Sequence, residues 1–211
     1  MDNVEKPPGR KKSPKVRRVS NPRDDYSQVY QFKISLKYIK PLIWRRIQVP
    51  ENYTFRDLHV AIQNAMGWTD SHLHQFILLD PVTKQTIFVG QIDDEFPSDF
   101  EILLEGETKI PKWFSPGRKN AIYEYDFGDD WLHQVTFEKM LPREKDTKYP
   151  RCVGGARACP PEDCGSYPGY EEICSGTSEF QEEYEDYDPE YFVINDIEFE
   201  DPDEHYDLVN M

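Results

Sequence analysis

The 211-residue sequence has no run approaching the roughly 20 apolar residues that a membrane-spanning helix needs, and its N-terminus has no apolar leader core. That leads us to expect an intracellular chain, cytoplasmic or nuclear, with no membrane partner. Cysteine is sparse. Cys152, Cys159, Cys164 and Cys174 are the only four, and in a reducing compartment they read as thiols or metal ligands rather than disulfides. The chain also lacks a glycine-rich phosphate loop, a nucleophile elbow and an HExxH helix, which removes the commonest signatures of nucleotide binding, serine hydrolysis and zinc proteolysis. Positive charge is scarce outside the N-terminus. Residues 1–23 hold eight Lys/Arg, which leaves 17 basic against 38 acidic residues in the rest. So acidic a body repels phosphate backbones, and only the N-terminal arm is left for weak nucleic-acid contact.

What is present is organised around Tyr123-Glu124-Tyr125-Asp126-Phe127-Gly128-Asp129-Asp130-Trp131-Leu132-His133. The apolar alternation through Tyr123, Tyr125 and Phe127 reads as a strand, Gly128-Asp129-Asp130 as a tight turn, and residues 132–138 as the returning strand. Carboxylates and a histidine at such a corner suit a cation or acid–base chemistry, and they equally suit aspartates that cap their own turn. Upstream, residues 30–38 alternate as a half-buried strand and residues 42–49 return from Lys40-Pro41 as its partner. Period two puts Arg45 and Arg46 on opposite faces, which disfavours a two-arginine anion clamp.

The clearest helix starts at Thr54, an N-cap with Asp57 three residues on, and ends at Gly67; Phe55, Leu58, Ile62, Ala65 and Met66 form its apolar stripe. His59 beside that stripe reads as a core-edge histidine. His72 and His74 are placed on one face of the next strand, able to share a metal or to line a cleft. Residues 86–89 form another strand, residues 91–105 a loop and then a strand, and residues 111–114 a short helix. Residues 150–165 look too rich in Gly and Pro for helix or strand, and residues 170–174 make one helical turn.

The ends are read as tails. Residues 1–25 are a disordered basic arm in which Lys11, Lys12, Arg17 and Arg18 resemble a nuclear-import signal. The domain proper spans residues 28–175, with Phe32, Ile34, Leu36, Leu58, Ile62, Phe76 and Phe127 in its core. Residues 176–211 are an acidic tail with fourteen Asp/Glu and no Lys or Arg between Glu179 and Asp207, able to dock through the aromatics of residues 188–192.

Several stretches together resemble one family. They are Pro41-Leu42-Ile43-Trp44-Arg45-Arg46-Ile47, Leu58-His59, Ile62-Gln63-Asn64-Ala65-Met66-Gly67-Trp68, His72-Leu73-His74-Gln75-Phe76 and the central hairpin, followed by Cys159-Pro160-Pro161-Glu162-Asp163-Cys164-Gly165 and Gly169-Tyr170-Glu171-Glu172. The chain resembles the plasmid Ri-type ORF-three-like proteins, also described as insertion-element passenger proteins. The resemblance runs from about residue 30 to 172, with residues 188–192 similar to the family's closing motif. It implies a single α+β domain on a mixed, mostly antiparallel sheet with a few packed helices, and no assigned reaction. Pro111 departs from the family's regular helix in that region, so a shortened helix is expected. The arm and the acidic tail are taken to lie outside the shared core.

Two functions follow. One is a binding or adaptor module with a polar cleft and a protein partner. The other is a metal-dependent hydrolase in which His72, His74, Asp126, Asp129, His133, Glu162 and Asp163 hold a divalent ion and activate water. The second requires those groups to converge in one concavity. Cys152, Cys159 and Cys164 add a separate zinc option, His133 completing a tetrahedron, against ordinary burial of the three thiols; their irregular spacing favours burial.

Overall fold

A computed structural model of the protein describes residues 25–80, 82–91 and 101–209. The basic arm, with Lys11, Lys12, Arg17 and Arg18, and the segment 92–100, with Phe96 and Phe100, lie outside the described residues. Eight strands form one sheet: β1 (Gln28–Leu36), β2 (Trp44–Pro50), β3 (His74–Leu79), β4 (Thr86–Gly90), β5 (Ile102–Leu104), β6 (Asn120–Tyr125), β7 (Trp131–Pro142) and β8 (Arg151–Ala156). Their order across the sheet is β5-β4-β3-β6-β7-β1-β2-β8. Every neighbouring pair is antiparallel except β4 with β5. The architecture is the α+β single domain that the sequence implies.

Helix α1 (Phe55–Met66) forms where the caps place it. Thr54 accepts from Asp57 N while Asp57 accepts from Thr54 N, and Gly67 closes the helix at φ 91°. The remaining free N–H groups of the first turn are also satisfied: Phe55 N donates to Thr108 O and Arg56 N to Glu105 O. The loop after β5 is thereby drawn against the start of α1. Almost all of α1 is buried, because the sheet lies on one side and the C-terminal segment on the other. Arg45 and Arg46 part as expected. Arg45 turns inward and donates to Ala65 O in the last turn of α1 (2.9 Å), where a cation is favoured. Arg46 pairs with Glu138 at 2.7 Å.

Three expectations change and one is met. Residues 151–156 form an edge strand rather than loop, and one of its glycines is what the packing needs: a Cβ at Gly155 would collide with the Phe192 ring. Phe127 is 49% exposed and not in the core. The reason is local, because Asp126 adopts φ 57°, which ends β6 at Tyr125 and breaks the alternation. The single turn at 170–174 is instead helix α2 (Ser166–Ser175), with Tyr170 and Ile173 buried one turn apart. The short helix near Pro111 is a 3-10 turn, Ile110–Lys112, as a shortened element should be.

The acidic C-terminal stretch is mostly exposed, yet it is pinned to the body. Glu190 pairs with Arg157 at 2.7 Å, Ala158 N donates to Pro189 O, and the Arg45 guanidinium lies 4.6 Å from the centre of the Phe192 ring. Farther on, Glu200 N donates to Asn64 Oδ1, and Arg56 meets Asp203 at 3.1 Å. Helix α3 (Pro202–Val209) is thus laid over α1. Among the described residues no helix is long and apolar enough to cross a membrane.

Candidate metal centres

The loop from Gly67 to His74 connects α1 to β3 and is fixed by residues that the fold has already placed. Gln63, wholly buried on α1, accepts from Asp70 N through Oε1 and donates to the Tyr123 hydroxyl through Nε2. Trp68 donates to Pro160 O and stacks on Tyr125. Thr69 N donates to Glu162 Oε1, and Ser71 N to the Tyr125 hydroxyl. Asp70 itself sits at φ 56°, a left-handed conformation that aspartate tolerates better than most residues. The result is that alternate residues of 70–74 go to different places.

Asp70 and His74 go inward, toward His59 of α1. The donor atoms of His59, Asp70 and His74 lie within 4.8 Å of one another. The His59 and His74 rings are parallel, with centroids 3.4 Å apart. His59 is 2% exposed; its Nδ1 meets the Tyr123 hydroxyl at 2.8 Å, and its Nε2 lies 2.8 Å from Asp70 Oδ1. That second approach is off the axis of a hydrogen bond, so a fully buried nitrogen is left without a hydrogen-bond partner. Around this trio, His74 Nε2 contacts Glu105 Oε2 at 2.6 Å, and His205 of α3 reaches Asp70 Oδ2 at 3.1 Å and Glu200 at 2.6 Å.

The electrostatics follow from burial and charge. Desolvation, with His74 alongside, lowers the His59 pKa to about 4, so this imidazole is neutral at pH 7. Burial alone would raise the Asp70 and Glu105 carboxyls, but their histidine contacts bring both below the usual carboxylate range. Burial works against the charged form of His205 too, and is outweighed by Glu200 and Asp70, which raise its pKa.

His72 goes the other way, toward the hairpin turn. Its Nε2 lies 2.9 Å from Asp163 Oδ1 and 3.7 Å from Asp126 Oδ2, and these three residues form the second convergent group. Asp126 divides its carboxylate: Oδ1 accepts from Gly128 N at 2.9 Å and from Asp129 N at 3.3 Å, while Oδ2 faces His72. Both readings of the hairpin aspartate therefore apply, one to each oxygen. Here too the buried His72 Nε2 has no hydrogen-bond partner. The group is open to solvent, since the Asp163 side chain is 73% exposed.

The expected cleft set of seven thus separates. His72, Asp126 and Asp163 converge. His74 belongs to the inner trio and does not share a site with His72, because His72 precedes β3 and follows the loop rather than the strand. Asp129 instead ties the turn to α2, with Oδ2 accepting from Gly165 N and its carbonyl from the Ser166 hydroxyl. Glu162 accepts from Thr69 and from the Tyr125 hydroxyl. His133 is a core residue. Its Nδ1 donates to Trp131 O at 2.9 Å, and burial lowers its pKa to about 4.

The cysteines enter neither convergent group among the described residues. Cys152 donates to Gly154 O, Cys159 packs on the core, and Cys164 is buried, its thiol pushed up to about 12 by desolvation. His59, Asp70, Glu105 and His205 were not among the expected site residues. The one local signal was Asp70, two residues before His72 beyond a helix-ending glycine; His205 lies more than a hundred residues away in a segment read as tail.

Similarity to known proteins agrees with this fold. The chain is 33% identical over 153 residues to the uncharacterized protein y4hQ of Sinorhizobium fredii (strain NBRC 101917 / NGR234), covering 72% of this chain and 75% of that one. The crystal structure of the protein of unknown function MM3350 from Methanosarcina mazei Go1 superposes with a TM-score of 0.73 at 44% identity, over 82% of this chain and 99% of that one. Residues 28–203 match the family described as plasmid pRiA4b ORF-3-like protein. The match reaches beyond residue 200, so most of the acidic stretch taken to lie outside the shared core is inside it, together with the Glu190, Phe192 and Asp203 contacts. By this match and by the identity to y4hQ, the chain belongs to the plasmid pRiA4b ORF-3-like protein family.

Proposed function

We propose that the protein is a binding module that grips its ligand through a divalent cation held by His72, Asp126 and Asp163. The observation that carries this reading is His72 Nε2, a buried nitrogen without a hydrogen-bond partner between two carboxylates whose free oxygens converge on it. Two carboxylates and one imidazole, open on one side, suit a hard to borderline ion such as Mn²⁺ that keeps water or a ligand oxygen in its remaining positions. The charge of the chain supports the idea. A formal net charge of -15 repels anionic ligands, and a bound cation reverses the sign locally. Leu73 and Phe127, adjoining His72 and Asp126, are 41% and 49% exposed and add apolar contact beside the charged grip. An acidic side chain on a protein partner matches that combination.

A second reading is favoured by one neighbour. The Tyr125 hydroxyl, hydrogen-bonded to Glu162, adjoins His72, with ring centroids 5.9 Å apart, and this pair could move a proton to or from a cation-bound water in hydrolysis. The test of the first reading is Mn²⁺ titration of the full chain, followed by water-proton relaxation. We expect enhancement that saturates at one ion and is lost in Asp126→Asn, which keeps the turn-capping oxygen. Unaltered relaxation up to millimolar Mn²⁺ would discard the reading. Mn²⁺-dependent ester cleavage that Asp126→Asn removes would favour hydrolysis over simple binding.

A further inference from the structure

We infer that His59, Asp70 and His74 form a second, buried metal centre for a borderline divalent transition ion, one that ties α3 to the body. Two imidazoles and one carboxylate are the donor set that such ions prefer over Ca²⁺ or Mg²⁺. The donor atoms lie within 4.8 Å of one another, and His59 Nε2 is completely enclosed without a hydrogen-bond partner although a carboxylate oxygen stands 2.8 Å away. A nitrogen and an oxygen this close without an aligned hydrogen bond are near enough for one ion to bridge them.

The surroundings have the form that metal centres require. His59 Nδ1 is held by the Tyr123 hydroxyl, which Gln63 also contacts, so the ring orientation is set. Glu105 holds His74 at 2.6 Å, and Gln91 Nε2 in turn donates to the other Glu105 oxygen at 3.3 Å. The free oxygen of Asp70 contacts His205 Nε2, so the group that would hold the ion also holds α3. Three of the chain's five histidines meet here, from α1, β3 and α3. A plain hydrogen-bonded network would explain Glu105 with His74, and His205 with Asp70, but it leaves the enclosed His59 nitrogen unexplained.

The probe is Co²⁺ added to the full, tag-free chain, read by its visible ligand-field bands and by thermal unfolding. We expect one equivalent at this centre beyond any ion held by the outer group, bands of a nitrogen- and oxygen-ligated ion, and a raised Tm. Asp70→Asn should remove that equivalent and its bands. Glu105→Gln should weaken binding about tenfold, the usual scale for a group that orients a ligand. The outer-site variant Asp163→Ala should keep the bands, which separates this centre from the cation grip proposed above. Because His59→Ala could simply fail to fold, the decision rests on the folded wild-type chain and on Asp70→Asn. The inference is overturned by wild-type protein without ligand-field bands at saturating Co²⁺, or by Asp70→Asn binding Co²⁺ as wild type does. Bands that vanish in Asp163→Ala but persist in Asp70→Asn would overturn it as well.

Discussion

The two convergent groups draw on the same five residues, 70–74, and differ chiefly in what covers them. The inner group has α1 beneath it and α3 over it, and its histidines sit among aromatic rings. The outer group is bounded by two aspartates in left-handed conformations, Asp126 at φ 57° and Asp163 at φ 52°, and by solvent. Burial turns similar side chains to different uses. Inside, every charge must be matched, so removing one partner is expensive; outside, water replaces whatever is lost. The inner group should therefore act on stability, and the outer one on binding with little effect on stability.

The largest expected effect breaks the inner group. His74→Ala leaves a cavity under α1 and strips Glu105 of the contact that keeps its buried carboxyl ionised, since Gln91 alone then faces it. Leaving a buried charge without its partner costs about 3–5 kcal/mol. Chemical denaturation should show a loss on that scale without metal present. A loss below about 1 kcal/mol, the scale of an ordinary substitution, would mean that the inner group is not the stability centre its burial implies.

The sequence revealed these regions unequally, for physical reasons. Helix α1 was legible to the residue because its caps and stripe are local, and the β1–β2 and β6–β7 hairpins were legible because alternation and turn chemistry are local. His72, Asp126 and Asp163 were expected only within a larger set of seven, of which they alone converge, since the strand–turn–strand and the Pro160-Pro161-Glu162-Asp163 loop carry visible polar clusters. The inner centre was not legible. Its members come from α1, a loop, two strands' ends and α3, and His59 lies beside the apolar stripe, where it reads as a core-edge residue. The contacts that fold the acidic segment back, Asp203 with Arg56 and His205 with Asp70, span more than 130 residues, and no periodicity announces them. Edge strand β8 was missed because glycine weakens a strand in general, whereas Gly155 is there required by the Phe192 ring and the Trp44 carbonyl.

A middle-sized effect comes from a carboxylate whose partner is a permanent cation. Glu138 accepts both Arg46 Nε (2.7 Å) and Nη2 (2.8 Å) on the exposed side of the sheet, and Gln31 adds a third bond. The Arg46 hydrogen bonds lower its pKa despite partial burial. The sign follows: a carboxyl depressed in the folded state stabilises fully above its unfolded value of about 4.3, and the contribution is lost as pH falls through the folded pKa. Glu138→Gln should cost about 1 kcal/mol at pH 7 and flatten the stability curve below about pH 4. Unfolding midpoints measured from pH 7 to 3 check this. An unchanged acid limb in the variant would remove Glu138 from the account. The contrast with the inner group is direct: Arg46 keeps its charge at every relevant pH, whereas the inner carboxylates face histidines.

The smallest effect belongs to the outer group and separates backbone from charge. Asp126 does two things at once. Its Oδ1 caps the turn at Gly128 N, and its left-handed φ 57° is a conformation that aspartate and asparagine adopt at little cost. Asparagine keeps both properties and changes only the oxygen that faces His72. Asp126→Asn should therefore alter stability by no more than about 0.5 kcal/mol, while Asp126→Ala should lose about 1–2 kcal/mol through the missing cap and the strained backbone. Measured side by side by denaturation, the pair assigns the cost to the turn. If asparagine proved as damaging as alanine, the carboxylate charge itself would be stabilising the apo fold, and the outer group would resemble the inner one after all. If asparagine is neutral and Mn²⁺ binding is still lost, the charge at this corner serves the ligand and not the fold.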